Sequence, residues 1–122
     1  MLVEFGKGLK IGEKIPSFNL KDVNGKIHSV DLYRNKKILV IVFTCNHCPY
    51  AKAYQDRIIG IQNDYEDVQV VAINSNNDRD YPEDGFEEMI KRAKEKKYNF
   101  PYLRDETQKI ARAFGAQVTP HV

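Results

Sequence analysis

A chain of 122 residues, 42% hydrophobic and 30% charged, has the composition of one globular domain and is long enough to bury a core. Nineteen basic and seventeen acidic side chains leave a net charge of +2, which argues against a nucleic-acid-binding surface. The longest apolar run, ILVIVF at 38–43, is too short to cross a membrane, and no secretory leader follows Met1. The sequence therefore predicts a cytoplasmic protein with neither a nucleic-acid nor a membrane partner.

The N-terminal part predicts a β-hairpin. Residues 17–30, SFNLKDVNGKIHSV, alternate apolar and polar positions on both sides of Asn24-Gly25, a dipeptide that readily forms tight turns. The run KKILVIVF at 36–43 is rich in β-branched residues, which is typical of a strand buried on both faces. We therefore expect the hairpin to be followed by a central strand.

From Pro49 onward the apolar residues follow a helical period. The first predicted helix buries a stripe made of Ala51, Tyr54, Ile58, Ile61 and Tyr65. The run VQVVAIN at 68–74 predicts the next strand. The polar segment 75–85, which contains Arg79 and Tyr81, predicts a solvated connection.

Two further helices and a short strand complete the pattern. The second helix has an apolar face made of Phe86, Met89, Ile90 and Ala93. FPYL at 100–103 predicts a short strand, and Asp105 with Gln108 predicts a capping pair for a third helix that ends at Gly115. This alternation indicates an α/β domain with a mainly parallel sheet, in which ligands gather at the carboxyl ends of the strands.

The motif FTCNHCPY at 43–50 holds the only two cysteines of the chain, at the junction between the predicted central strand and the first helix. Unpaired amides and the positive end of the helix dipole favour a thiolate at such a junction. We assign Cys45, nearer to the exposed helix mouth, as the attacking thiol, and Cys48, one turn inside, as the resolving thiol. The i, i+3 spacing brings both sulfurs to one face, where they can form a small disulfide ring.

His47 lies between the two cysteines and is expected to tune the couple. An imidazole that stabilises the thiolate stabilises the reduced dithiol, which makes the couple more oxidising. The alternative is a solvent-exposed loop histidine without a tuning role.

Two other interpretations of the cysteine pair stay open. A structural zinc site usually needs four ligands, and the remaining candidates are His28 in the hairpin, His47 and His121. His47 is constrained by its position between the two cysteines, and His28 lies in the hairpin, so four ligands are difficult to bring together. We therefore predict no metal. A buried, unreactive cysteine pair is the second alternative, because cysteine is often a core residue.

Four segments carry a resemblance to a known family. They are GEKIPSFNLKDVNGKIHSV at 12–30, ILVIVFTCNHC at 38–48, VQVVAINSNN at 68–77, and FPYLRDETQKIARAFGAQVTP at 100–120. With these segments the chain resembles the thioredoxin-like superfamily, and within it the branch that includes the thiol-specific antioxidant (peroxiredoxin) group and the thiol-disulfide oxidoreductases.

The resemblance implies a thioredoxin-like fold with an N-terminal β-hairpin extension and an inserted helix, in a single domain over residues 1–122. It also implies that Pro120 is cis and faces the cysteines, and that the backbone of Thr119 pairs with the incoming substrate. The family continues with a β-hairpin and a closing helix, which are missing after Val122. A chain truncated at its C-terminus is therefore expected.

Two positions depart from the family pattern. Thr44 precedes Cys45, where most relatives of this kind have tryptophan, so the surface that faces the partner is expected to differ. Leu39 stands where thioredoxins carry a buried acid that moves protons, so the sequence offers no obvious proton acceptor for Cys48.

Three functional hypotheses follow. The first is a thiol-disulfide oxidoreductase without a cofactor, which exchanges disulfides with protein or small-molecule thiols and needs a reducing or oxidising recycling partner. The second is a peroxiredoxin-like thiol peroxidase, in which one cysteine becomes a sulfenic acid. The resemblance implies a threonine or serine three residues before that cysteine, but Val42 or Cys45 occupies the position. The third is a non-enzymatic module with the same fold.

Overall fold

The computed structural model describes residues 9–47, 49–116 and 119–122. In these ranges the strands are β1 (Asn19–Asp22), β2 (Ile27–Ser29), β3 (Ile38–Thr44), β4 (Val68–Asn74) and β5 (Tyr102–Arg104). The helices are α1 (Pro49–Asp64), α2 (Phe86–Glu95) and α3 (Lys109–Phe114), with 3-10 helices at Val30–Tyr33 and Pro82–Asp84. None of these helices has both the length and the apolar character needed to cross a bilayer.

The strands form one sheet in the order β2-β1-β5-β4-β3. β3, β4 and β5 are parallel, as predicted, and β1 is antiparallel to both β5 and β2. The predicted hairpin is confirmed, with Gly25 in the turn at φ +86°, a left-handed conformation that glycine adopts without strain. Because β1 pairs with β5, the hairpin extends the main sheet.

The prediction that β3 is a central strand was wrong for the described part of the chain. β3 lies at the edge of the sheet and pairs with β4, and its first residue, Ile38, is 54% exposed. β4 is buried along most of its length, and β5 is buried at all three of its residues. The β-branched run does not distinguish a central strand from an edge strand. In β3 the N-terminal half is exposed or half-buried, and only the end of the strand, towards Phe43 and Thr44, is buried as a central strand would be.

The core has one apolar cluster on each face of the sheet. Val42, Val70, Met89 and Tyr102 belong to one cluster, against which side chains of α1 and α2 pack. Phe43, Val71, Ile73 and Leu103 belong to the other, which α3 covers. Buried apolar area on both faces stabilises the sheet and holds the carboxyl ends of its parallel strands at a common edge.

The buried face of α1 differs from the predicted stripe. Ala51 is buried and Ile58 packs on the core, but Tyr54, Ile61 and Tyr65 are exposed. Gln62 lies on the buried side instead, where it donates to the Val68 carbonyl and accepts from the Val70 amide. The apolar spacing missed this face because hydrogen bonds to β4 compensate the burial of a polar side chain.

The start of α3 also differs from the prediction. The Asp105 carboxylate accepts hydrogen bonds from the amides of Ile110 and Ala111, as a capping side chain does. Gln108 makes no reciprocal side-chain cap and has a left-handed backbone with φ +63°. The helix ends at Gly115 with φ +74°, as the sequence predicts.

A buried hydrogen-bonded chain of Asp22, His28 and Tyr33 ties the hairpin to the 3-10 helix that follows it. The Asp22 carboxylate lies 2.5 Å from His28 Nε2, and His28 Nδ1 lies 2.5 Å from the Tyr33 hydroxyl. Burial opposes ionisation of Asp22, but hydrogen bonds from the Lys26 amide, the His28 ring and the Asn24 amide outweigh it. The pKa of Asp22 therefore falls below its ordinary value of 3.8.

Asp22→Asn is expected to lower the free energy of unfolding at pH 7 by about 1–3 kcal/mol, because buried donors lose a charged acceptor. A carboxylate whose pKa is lower in the folded state than in the unfolded state stabilises the fold at pH values above its ordinary pKa. This contribution is lost as the pH falls through the lowered pKa of the folded state. The difference between the wild type and the variant should therefore shrink below pH 3.8. Urea unfolding at several pH values measures it.

Asp31→Asn is the matched control. Asp31 pairs with Arg34 on the surface, where the two side chains are 72% and 79% exposed, so its removal should leave stability nearly unchanged. Equal losses for the two variants, or a difference for Asp22→Asn that does not depend on pH, would contradict a role for the buried carboxylate.

Candidate functional site

Cys45 lies directly after β3, at the carboxyl edge of the parallel strands where the sequence places it. It is more buried than expected for a residue at a helix mouth, with only 5% of its surface exposed. Cys48 lies outside the described residues, so its pairing with Cys45 and its resolving role stay predictions.

Thr119 lies next to the Cys45 sulfur. Cys45 Sγ and Thr119 Oγ1 are 3.3 Å apart, although 74 residues separate them in the chain. The Thr119–Pro120 peptide bond is cis, as the family resemblance implies. His121 then exchanges two backbone hydrogen bonds with Phe43, which holds this segment against the open edge of β3. The substrate-binding role of Thr119 and Pro120 stays a prediction.

His47 is held by two neighbours from the segment 75–85. Its Nδ1 contacts the Asp84 carboxylate, and its ring stacks on Tyr81 with centroids 4.4 Å apart and an interplanar angle of 10°. The His47 side chain is 22% exposed, so it is not the solvent-exposed loop residue of the alternative interpretation. The prediction that segment 75–85 is a solvated connection was therefore wrong at Asp84, which is fully buried, although Tyr81 is 49% exposed.

Asp84 is a fully buried carboxylate surrounded by hydrogen-bond donors. Oδ1 accepts from the Asn46 amide at 2.5 Å and from Asn74 Nδ2 at 3.1 Å, and Oδ2 accepts from Asn76 Nδ2 at 3.1 Å and from His47. Burial opposes ionisation, but these hydrogen bonds outweigh it and lower the pKa of Asp84. Asp84 is therefore an anion at neutral pH.

A second layer of hydrogen bonds fixes the donors around Asp84. The Tyr102 hydroxyl donates to Asn46 Oδ1 at 2.8 Å and accepts from Asn74 Nδ2 at 3.2 Å. Asn46 Nδ2 donates to the Glu83 carbonyl at 2.8 Å. Burial raises the pKa of Tyr102, so its hydroxyl keeps the proton that it donates. The loop before α1 and the 3-10 helix Pro82–Asp84 are thereby joined through buried polar contacts.

A cleft of about 450 Å³ is lined by His47 and Thr119, and Thr119 contacts the Cys45 sulfur. Its walls come from the end of β3, the segment after β4, helix α3 and the segment around the cis peptide bond. The lining residues include Phe43, His47, Asn76, Tyr81, Arg112 and Thr119. Its volume lies within the usual range for small-molecule sites, and its open side could also admit a peptide segment.

Cys45, His47 and Asp84 are also the residues whose chemistry could hold a metal ion, since one ligand atom of each lies within 4.8 Å of the others. The environment of Asp84 is unfavourable for a cation, because each of its oxygens already accepts two hydrogen bonds. A metal would have to displace donors that the fold holds in place. The predicted absence of a metal stays a prediction.

Residues 11–122 match the AhpC/TSA family. No curated protein matches the chain significantly. An uncharacterized conserved protein from Geobacillus kaustophilus is 43% identical, with a TM-score of 0.88 over 91% of this chain and 60% of its own. A hypothetical protein from Sinorhizobium meliloti 1021 is 32% identical, with a TM-score of 0.88 over 92% of this chain and 62% of its own.

A candidate thioredoxin from Neisseria meningitidis is 30% identical, with a TM-score of 0.72 over 87% of this chain and 67% of its own. These similarities show the thioredoxin-like fold that the sequence predicts. The chain spans only 60% and 62% of the length of the first two structures.

Proposed function

We propose, given that the chain belongs to the AhpC/TSA family, that it is a thiol-disulfide oxidoreductase acting through Cys45 and Cys48. Membership in this thioredoxin-like family is consistent with redox chemistry at a cysteine, either disulfide exchange or peroxide reduction. Disulfide exchange is the specific reaction that we propose.

The reaction begins when the Cys45 thiolate attacks one sulfur of a substrate disulfide. The substrate S–S bond breaks, one substrate thiolate leaves, and a mixed disulfide joins Cys45 to the remaining half. The Cys48 thiolate then attacks the Cys45 sulfur and releases the second substrate thiolate. The substrate gains two electrons, and the protein is left with a Cys45–Cys48 disulfide that an external dithiol reduces.

The contact between Cys45 and Thr119 is the observation that carries this proposal. It brings the sulfur to Thr119, which lines the cleft and precedes a cis peptide bond. An exposed backbone edge can pair with an extended peptide, as in β-strand addition. This supports a disulfide-bearing peptide or a small disulfide as the substrate. We further propose a cellular thiol system in the cytoplasm as the recycling partner.

His47 is the proposed tuning group. One of its ring nitrogens and the Cys45 sulfur belong to a cluster of atoms that lie within 4.8 Å of one another. At this distance the ring can stabilise the charged form of the sulfur. The redox potential of the pair determines whether the protein reduces or oxidises its partner.

A direct comparison of two substrates tests the proposal. We expect the protein to accelerate the reduction of a protein disulfide by dithiothreitol, and to consume hydrogen peroxide no faster than an ordinary protein thiol. The reason is that Val42 replaces the hydroxyl residue expected three positions before a peroxidatic Cys45. Turbidity of a reduced, insoluble substrate chain and loss of peroxide absorbance measure the two rates.

The control is the same protein after both cysteines have been alkylated, which should lose the disulfide activity. Rapid peroxide consumption with little disulfide turnover would favour a peroxiredoxin-like peroxidase instead. If neither reaction is accelerated, the non-enzymatic module becomes the better interpretation.

A further inference from the structure

Asp84 is a buried charge that the proposed exchange reaction does not itself require. Burying an ionised carboxylate away from water costs free energy unless charged or polar partners compensate for the lost hydration. Here every donor on Asp84 belongs to the site: Asn46 and His47 follow Cys45 in the chain, and Asn74 and Asn76 lie at the end of β4. The carboxylate is therefore placed to act on the residues next to the sulfur.

Asp84 determines which nitrogen of His47 carries the proton. An ionised carboxylate accepts but cannot donate, so the His47 nitrogen that it contacts, Nδ1, has to be the protonated one. In a neutral ring Nε2 is then the acceptor. The other donors on Asp84 prevent the carboxylate from turning away, because each of them fixes one of its oxygens.

Tyr81 fixes the remaining freedom of the ring. The carboxylate holds one edge of His47, and the nearly parallel ring of Tyr81 covers one face at 4.4 Å. One of the two ring nitrogens, the Cys45 sulfur and one Asp84 carboxylate oxygen lie within 4.8 Å of one another, so the ring is held close to the sulfur. The cleft that exposes His47 also has Thr119 in its wall.

We propose that Asp84 is a positioning residue, which holds His47 with Nδ1 protonated so that Nε2 can accept the proton of the Cys45 thiol and return it to the departing substrate thiolate. The inference rests on the proposed function. The proton moves from Cys45 Sγ to His47 Nε2 when the attacking thiolate forms, and from Nε2 to the leaving sulfur when the substrate bond breaks. Electrons move only between sulfurs, and the ring gains its positive charge beside the Asp84 carboxylate.

The titratable and charged groups around the His47 ring are few within the described ranges. Asp84 contacts Nδ1, the Cys45 sulfur lies within 4.8 Å of one ring nitrogen, Tyr81 covers the ring face, and Arg112 lines the same cleft as His47. Asp84 is the one anion among these groups that contacts the ring. The pH dependence of Cys45 reactivity should therefore report mainly on Asp84 and His47.

The alkylation rate of Cys45 tests the proposal without any disulfide substrate. In reduced Cys48→Ser protein, we measure the rate with iodoacetamide between pH 5 and pH 9. Asp84→Asn should slow alkylation at pH 7 by about 10- to 100-fold, the size of loss typical when a carboxylate that orients a metal-bound histidine is removed. It should also shift the pH midpoint of the rate profile upward.

Glu83→Gln is the matched control. It also removes one negative charge, but from an exposed side chain that directly precedes Asp84 in the chain. A double-mutant cycle separates positioning from a general structural effect. If Asp84 acts through His47, adding Asp84→Asn to His47→Gln should change the rate by less than about twofold. An equal loss in both backgrounds, or a loss of the same size in Glu83→Gln, would overturn the proposal.

A measurement on the wild-type protein covers the case in which Asp84→Asn does not fold. The ¹⁵N chemical shifts of the His47 ring distinguish its tautomers, and a neutral ring protonated at Nδ1 is expected. A ring protonated at Nε2 would refute the inference. Neither readout involves substrate turnover. The exchange assay can therefore contradict the proposed function while the role of Asp84 stands, and these two readouts can contradict the role of Asp84 while the proposed function stands.

Discussion

Cys45→Ser should abolish disulfide exchange, with a rate at least about 10³-fold below that of the wild type. A serine hydroxyl is not ionised at neutral pH and cannot form a mixed disulfide. Cys48→Ser should still carry out the first attack and then accumulate the mixed disulfide, because its resolving thiol is missing. Mass spectrometry after brief exposure to a disulfide peptide measures the adduct, and the turnover assay measures the rate.

Serine is close to cysteine in size, so the buried position of Cys45 should tolerate the change, and thermal unfolding of the reduced proteins provides the check. The assignment of the two thiols would be reversed if Cys45→Ser accumulated the adduct and Cys48→Ser were inactive without an adduct. That result would make Cys48 the attacking thiol. Full activity in both variants would contradict the proposed reaction as a whole.

Ile73→Ala is expected to cause the largest loss of stability, about 2–5 kcal/mol in the free energy of unfolding. Ile73 is completely buried in β4 and belongs to the apolar cluster that α3 covers. Truncation would remove apolar contacts and leave a cavity at the centre of the sheet. Domains of this size are stable by only about 5–15 kcal/mol, so the loss should be clear in urea unfolding.

Ile38→Ala is the control for this substitution. Ile38 is an isoleucine in the neighbouring strand β3, but it is 54% exposed, so its truncation should cost about 0.5 kcal/mol or less. Similar losses at both positions would mean that β3 is covered in solution by something other than the described residues. A small loss at Ile73 would contradict the packing of the sheet.

The sequence predicts those parts of the fold whose signal is local. Gly25 favours the hairpin turn because its φ of +86° is a backbone angle that glycine adopts without strain, and the run VQVVAIN specifies β4 because each of its faces is buried. The helical face of α1 was less predictable. Gln62 is half-buried there and makes hydrogen bonds to β4 that a pattern of apolar residues does not register.

The site was predicted only in part, for a similar reason. The position of Cys45 follows from the rule that chemistry gathers at the carboxyl ends of parallel strands, and the approach of Thr119 follows from the family resemblance. Asp84 could not be identified in this way. Asp78, Asp80, Glu83 and Asp84 lie in one polar segment, and only the packing of that segment against Asn46 shows which acid is buried.

The contact between Cys45 and Thr119 also bears on how the protein acquires its chemistry during folding. Their separation of 74 residues means that the contact closes a long loop, and such contacts form late because the entropic cost must be met first. A chain that is still collapsing would carry its cysteines as ordinary thiols. Reactivity of Cys45 would then appear together with the completed parallel pairing.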